Sequence, residues 1–206
     1  MKNLIICNGI MGPRKEKTGY ASTGNSLKVS SDKFLYPVNA FLSENMVSGQ
    51  EYKVLLIMKR DSFNRYEQNI SDFKEEIEAV AASKGGVLEI VPVLTDFSQR
   101  RAVHEGLLET IVEHIEEGSN ILADITYGPK DVPFVVFAAL NFAEKFLNCE
   151  INHIIYGKAD FDNKNAPVNT EVWDLAPIYF INSVTNSINC SDSEEAKEML
   201  KALLSI

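Results

Sequence analysis

Residues 120–147 read NILADITYGPKDVPFVVFAALNFAEKFL, and the change of pattern inside this stretch decides the fold. Asn120 to Thr126 is a short aliphatic run without polar alternation, as expected of a strand covered on both faces. Gly128, Pro129 and Pro133 punctuate it. Val132 to Leu147 then continues long enough for a helix, with apolar side chains around most of its circumference. A buried strand running through a short loop into a helix is the repeating unit of a parallel sheet.

Similar β-rich runs occur at Leu4 to Ile10, Lys53 to Met58, Val87 to Leu94 and Ile151 to Tyr156. Between them lie helical stripes: Ile70, Phe73, Ile77 and Val80 form one, and Val103, Leu107, Leu108, Ile111, Val112 and Ile115 another. Pro37 to Met46 also reads as helix-like. The glycines at Lys84-Gly85-Gly86 and at Gly118 are predicted left-handed exits for the two striped helices. Together these features predict an α/β, doubly wound Rossmann-like domain with a mostly parallel sheet of five to six strands flanked by helices. The domain is expected to occupy residues 1–190, and residues 191–206 a closing helix capped by Ser191 or Asp192. The all-round apolar helix at 132–147 fits either a central position in the fold or a homodimer interface.

Two segments break the rhythm. Met11 to Leu35 is rich in Gly, Ser and Thr and carries Arg14, Lys15, Lys17, Lys28 and Lys33 against Glu16 and Asp32, a basic island that reads as a functional or solvated loop. Gly157 to Thr170, polar and rich in Asp and Asn, reads as surface loop.

The composition excludes several classes of function. A net charge of -9 argues against binding long nucleic acids, which requires clustered Lys and Arg. Three dispersed cysteines, Cys7, Cys149 and Cys190, fit reduced thiols rather than a disulfide framework or a zinc site. Met1 to Ile10 is too short for a signal peptide, and Asn141, Glu144 and Lys145 interrupt the most apolar stretch, so a membrane is not an expected partner and a cytoplasmic location is. No metal or cofactor is expected.

In an open parallel sheet, ligands bind beyond the carboxyl ends of the strands. The candidates are therefore Asn8, Gly9, Ile10, Met11 and Gly12 after the first strand, Lys59 and Arg60 after the second, and Thr95 and Gln99 after the third. After the fourth comes Asp124 to Asp131, the most informative loop. Thr126 offers a hydroxyl, Tyr127 a ring, Gly128 close backbone approach, and Lys130 a charge; Pro129 leads toward the helix, whose first N–H groups favour an anion. Alternatively, Asp131 caps the helix and Thr126 satisfies local backbone. Lys158 is placed to reach the same crevice. The patterns GxxxxGK[ST], GxGxxG and GxSxG are absent, and the three histidines, His104, His114 and His153, form no cluster and suggest no role.

The stretch DITYGPKDVPFVVFAALNFAEKF, followed by INHIIYGK and VWDLAPIYFI, resembles the CRISPR-associated Rossmann-fold (CARF) domains. In that family an Asp-x-Thr-His-Gly-Phe-Arg-like loop precedes a Pro-containing apolar helix, a strand ending near Tyr-Gly, and an Asp-Leu-Thr-Pro-like helix start. Asp124, Thr126, Gly128, Pro133, Tyr156, Gly157, Asp174, Leu175 and Pro177 match in that order. Tyr127 stands where His is common. Pro129-Lys130 replaces an aromatic-Arg pair, which keeps the charge and loses a bidentate phosphate contact and a stacking ring. The resemblance implies a homodimeric receptor for a cyclic oligoadenylate of type III CRISPR signalling, such as the four- or six-membered ring. Phosphates would then meet Lys130, Thr126 and helix N–H groups.

It also leaves open a ring nuclease, in which a ribose 2′-hydroxyl attacks the adjacent phosphate without metal. Lys130 would then be catalytic, stabilising developing charge, while Thr126 or Asn8 holds the phosphate. No effector motif follows: Arg100 and His104 are one residue too close for Arg-x4-6-His, in a region that reads as mid-helix, and Glu195-Ala-Lys197 lacks the strand of a restriction-type site. A metabolic nucleotide-binding enzyme is the third reading, weakened by the missing glycine fingerprint.

Overall fold

The computed structural model describes residues 2–8, 16–22, 27–60, 66–96, 98–163, 167–190 and 192–205. In chain order the elements are β1 (Asn3–Asn8), β2 (Thr18–Gly19), β3 (Lys33–Phe34), α1 (Pro37–Asn45), β4 (Glu51–Lys59), α2 (Glu67–Lys84), β5 (Val87–Thr95), α3 (Arg101–Glu113), β6 (Asn120–Asp124), α4 (Val132–Phe146), β7 (Glu150–Phe161), β8 (Pro167–Asp174), α5 (Ala176–Ser187) and α6 (Ser193–Leu204). Six strands form the main sheet in the order β5-β4-β1-β6-β7-β8. All neighbours are parallel except β7 and β8. The predicted Rossmann-like α/β class is the observed one.

The aliphatic runs make this sheet because each strand must fill two cores at once. Alternate residues of β1 and β4 face opposite sides. Leu4, Ile6, Leu55 and Ile57 meet buried residues of α3, α4 and α5, whereas Ile5, Cys7, Val54 and Leu56 meet those of α1 and α2. Each such side chain taken out of water contributes about 1.5–3 kcal/mol. The chain moves from β1 outward to β4 and β5, then returns to β6 on the other flank of β1. The direction of winding therefore reverses between β1 and β6, and that boundary determines where a crevice opens.

Helix ends follow the sequence in part. Gly85 caps α2 in the left-handed conformation, φ 71°, as predicted. Gly118 is also left-handed, φ 72°, but α3 ends earlier at Glu113 with His114 as its cap, so this glycine serves the turn into β6 instead. The Asp192 carboxylate accepts the N–H groups of Glu194 and Glu195 and starts α6.

Gly157 to Thr170 is not a surface loop. Most of it belongs to an antiparallel hairpin in which Tyr156 pairs with Trp173, Gly157 with Val172 and Lys158 with Glu171. Its polar composition reflects an edge hairpin with one wet face: Thr170 and Val172 are buried while Trp173 is exposed. The described part of the basic segment is also structured. Ala21 donates to the Thr170 carbonyl and accepts from Val172 N–H, at 2.9 and 2.8 Å, which covers the outer edge of β8. Lys17 reaches the buried Glu76 carboxylate at 3.5 Å. Arg14 and Lys15 lie outside the described residues. Among the described residues, no helix is long and apolar enough to cross a membrane.

Candidate functional site

Strands β1 and β6 end side by side at the winding reversal, with Cys7 in register with Asp124. Asn8 and Asp124 are both buried, at 3% and 4% exposure, although each bears a polar head. The Asp124 carboxylate accepts the backbone N–H of Thr126 at 2.8 Å and its hydroxyl at 2.5 Å. The Thr126 oxygen in turn accepts the N–H of Gly157 at 2.8 Å. One hydroxyl thus ties the end of β6 to the middle of β7. Burial pushes the Asp124 carboxyl up to about 6, against the two Thr126 hydrogen bonds that favour its ionised form. Burial, with the Asp124 charge beside it, pushes the Cys7 thiol well up.

Two glycines make this compactness possible. A Cβ on Gly128, which has φ +102°, would lie 2.0 Å from Asn8 Nδ2; on Gly157 it would lie 2.4 Å from Pro37 Cγ. The loop after β6 therefore folds back onto the end of β1, and the start of α1 closes in beneath β7. Tyr127 packs its ring edge-on against Tyr36, 5.8 Å between centroids, on the α1 and α2 side of the sheet. The residue is half-buried in that packing.

Lys130 is exposed at the tip of the loop. The first N–H groups of α4, expected to be available to an anion, are engaged in tight turns: Val132 donates to the Pro129 carbonyl and Phe134 to the Asp131 carbonyl, both at 3.1 Å, and Pro133 has no N–H. Among the described residues, the backbone N–H groups of Gly128, Lys130 and Asp131 have no acceptor. The backbone donors left without an acceptor at this end of α4 thus belong to the loop, one step before the helix.

Asp131 occupies the cap position of α4 without capping it. Its Oδ2 is 2.6 Å from Nε2 of His104, and its Oδ1 is buried with no partner among the described residues. Helix α3 begins at Arg101, so His104 stands in its first turn and not at mid-helix. The sequence suggested no role for this histidine because 27 residues and a strand separate it from Asp131. No local spacing marks the pair. A second pair, His153 Nδ1 with Asp174 Oδ2 at 2.7 Å, supports the start of α5. Burial pushes the Asp174 carboxyl up, but His153 and the N–H groups of Ala176 and Ile154 outweigh it and hold it below its ordinary value.

The remaining candidates divide by position. Lys59 and Thr95 end β4 and β5 in register, and Arg60 N–H donates to the Thr95 carbonyl at 2.7 Å. Thr95 is buried, Lys59 Nζ sits 6.0 Å from the Tyr66 ring centroid, and Arg60 and Gln99 are exposed. β4 lies one strand from β1 and β5 two, the latter roughly 10 Å away at ordinary strand spacing, so these residues form a flank of the crevice and not its centre. Lys158 pairs with Glu171 across the hairpin at 3.7 Å. Gly9, Ile10, Met11 and Gly12 lie outside the described residues. Compared with known proteins, the chain matches no family model and no curated sequence.

Proposed function

We propose that this chain is a receptor for a cyclic oligoadenylate, binding the ring across the two-fold axis of a homodimer in type III CRISPR signalling. The observation that carries the proposal is the position of the Asp124 to Asp131 loop, at the winding reversal between β1 and β6 where open α/β sheets take nucleotides. The same loop holds the residues that resemble the CARF pattern, with exposed Lys130 and three backbone donors on it. A ring of four or six identical nucleotides has two-fold symmetry, so two copies of the loop would meet equivalent halves. The exposed Phe134, Phe142 and Phe146 on one side of α4, at 76%, 39% and 62%, are the kind of surface a second copy would cover. The net charge of -9 favours a small, locally captured anion over a long polyanion.

The test is equilibrium binding of cyclic tri-, tetra- and hexa-adenylate in EDTA, with oligomeric state followed by sedimentation. One ring is expected to bind with one ring per two chains. Lys130→Ala should weaken binding by roughly tenfold to hundredfold, the size of a lost charge-assisted hydrogen bond. Failure of every ring to bind would refute the proposal.

A further inference from the structure

We infer that the chain has a second binding site, at the opposite end of the sheet from the Asp124 to Asp131 loop, and that it takes an uncharged nucleobase, free or as its nucleoside. The place is a cavity of about 260 Å³ beside the last turn of α1, where β1, β4, β6 and β7 begin. Its lining sets it apart from the rest of the surface. Asp, Glu, Lys and Arg make up 24% of the chain, yet none of the described residues that line the cavity is one of these; its polar groups are carboxamides, one tyrosine and one histidine. An ion would enter without a counter-charge, which burial makes costly, so the fitting ligand is neutral.

The carboxamides of the lining are only partly engaged. Asn45 donates from Nδ2 to the Lys28 and Phe41 carbonyls, at 2.8 and 2.7 Å, and keeps its oxygen as an acceptor. Gln50 accepts from Asn3 at 3.0 Å and keeps its amide nitrogen as a donor. The Asn152 carboxamide has no partner among the described residues and so offers both. Asn120 Oδ1 is buried, again with no partner among the described residues. An acceptor buried alone is unfavourable, and the soft terminal torsion of Asn lets this one turn toward a donor in the cavity. His153 adds a fixed acceptor. Its Nδ1 lies 2.7 Å from Asp174 Oδ2, and the Asp174 carboxyl is held below its ordinary value, so the carboxylate accepts and the neutral ring carries its proton on Nδ1. Nε2, which has no partner among the described residues, then presents its lone pair, while the Phe41 ring, 5.0 Å away and edge-on, holds the imidazole in place. Donors and acceptors side by side on a flat, uncharged edge are what a nucleobase presents, and a carboxamide meets such an edge with two hydrogen bonds at once. The volume suits one base with its ribose rather than an oligonucleotide.

The test is titration of isotope-labelled protein with adenosine, guanosine, cytidine and uridine, and with ribose and glucose as neutral controls, followed by the side-chain amide signals of Asn and Gln in nuclear magnetic resonance. At least one nucleoside should bind with a Kd between about 10 μM and 1 mM, as fits a ligand of this size, and shift the signals of Gln50, Asn120 and Asn152. Gln50→Ala combined with Asn152→Ala, both at exposed positions, should weaken that binding about tenfold or more and leave the melting temperature within a few degrees of wild type. Lys130→Ala should leave it unchanged, because the loop stands at the other end of the strands. The inference is overturned by absence of binding of every nucleoside up to about 10 mM, by equal binding of ribose or glucose, by shifts confined to the loop between β6 and α4, or by a double variant that binds as wild type does. It stands or falls apart from the ring proposal, since each is read with its own ligand and its own variants.

Discussion

Replacing Asp124 by Asn should change how stability depends on pH, with a sign opposite to that of most carboxylates. The Asp124 carboxyl titrates near 6 in the fold against an ordinary 3.8 in the open chain. The folded state therefore holds its proton more tightly. The carboxyl's contribution to stability is fully present below about pH 4, is lost as pH rises toward 6, and stays lost above it. At about 1.4 kcal/mol per pH unit, the loss is on the order of 3 kcal/mol. An Asn at this position keeps an oxygen that can accept both the N–H and the hydroxyl of Thr126, the two contacts now made by Oδ1, and it has no charge to bury. Urea unfolding of both proteins between about pH 4.5 and 8.5 isolates the effect, since other titrating pairs such as His153 with Asp174 cancel in the difference. The stability of Asp124→Asn relative to wild type should rise across the lower half of that range and then level off. Parallel curves would refute the reasoning, because they would mean that the burial of Asp124 does not govern its ionisation.

Other predictions concern packing and association. Gly128→Ala should cost roughly 2–5 kcal/mol, combining a residue forced to φ +102° with a Cβ 2.0 Å from Asn8 Nδ2; with Asn8→Ala already present the cost should fall by roughly 1–3 kcal/mol, and a double-mutant cycle by urea unfolding checks it. Glu76→Ala should cost roughly 3–5 kcal/mol in the same assay, because the buried carboxylate accepts the N–H groups of Leu35 and Tyr36 and the amide of Asn39 at the start of α1. Phe134→Asp combined with Phe146→Asp should leave the fold intact by circular dichroism and dissociate the proposed homodimer in sedimentation; a wild type that is monomeric with the ring bound, or a double variant that stays dimeric, would exclude this face of α4 as the interface.

The fold was readable because its strands are buried on both faces, so that their aliphatic runs carry the signal without any partner being known. Of the two predicted stripes, Phe73, Ile77 and Val80 and Leu107, Ile111 and Ile115 are buried, while Ile70, Val103, Leu108 and Val112 are half-buried. The hairpin of β7 and β8 was hidden because an edge strand shows its polar face to water, and Asp, Asn and Lys there read as loop. The site was readable only where it follows the chain. Asp124 to Asp131 is one continuous loop, and sheet topology alone places its strand at a carboxyl end. The contacts that decide its chemistry join residues far apart in sequence: His104 with Asp131, Thr126 with Gly157, Gly128 with Asn8. A residue's type allows such a contact, but only the packing of α3 against α4, or of the loop against β1, selects it.

This selection changes which groups of the loop remain available to a ligand. Thr126 looked like a phosphate donor, yet its single proton goes to Asp124 while its oxygen accepts from Gly157. Giving that proton to a phosphate would strip a hydrogen bond from an acceptor that is almost wholly buried, a loss of about 1–3 kcal/mol. The first turn of α4 is likewise spent on the Pro129 and Asp131 carbonyls. The phosphate of the proposed ring would therefore have to be held by the N–H groups of Gly128, Lys130 and Asp131 and by the Lys130 ammonium, next to the carboxylate of Asp131. A bare carboxylate there would repel a phosphate. The 2.6 Å contact of His104 Nε2 with Asp131 Oδ2 moderates that repulsion by engaging the carboxylate in a hydrogen bond. For the proposed ring the contact between Asp131 and His104 therefore eases the approach of phosphate, so His104→Ala should lose affinity chiefly at low salt, where the Asp131 charge is least screened, and its binding should fall less steeply with salt than that of wild type.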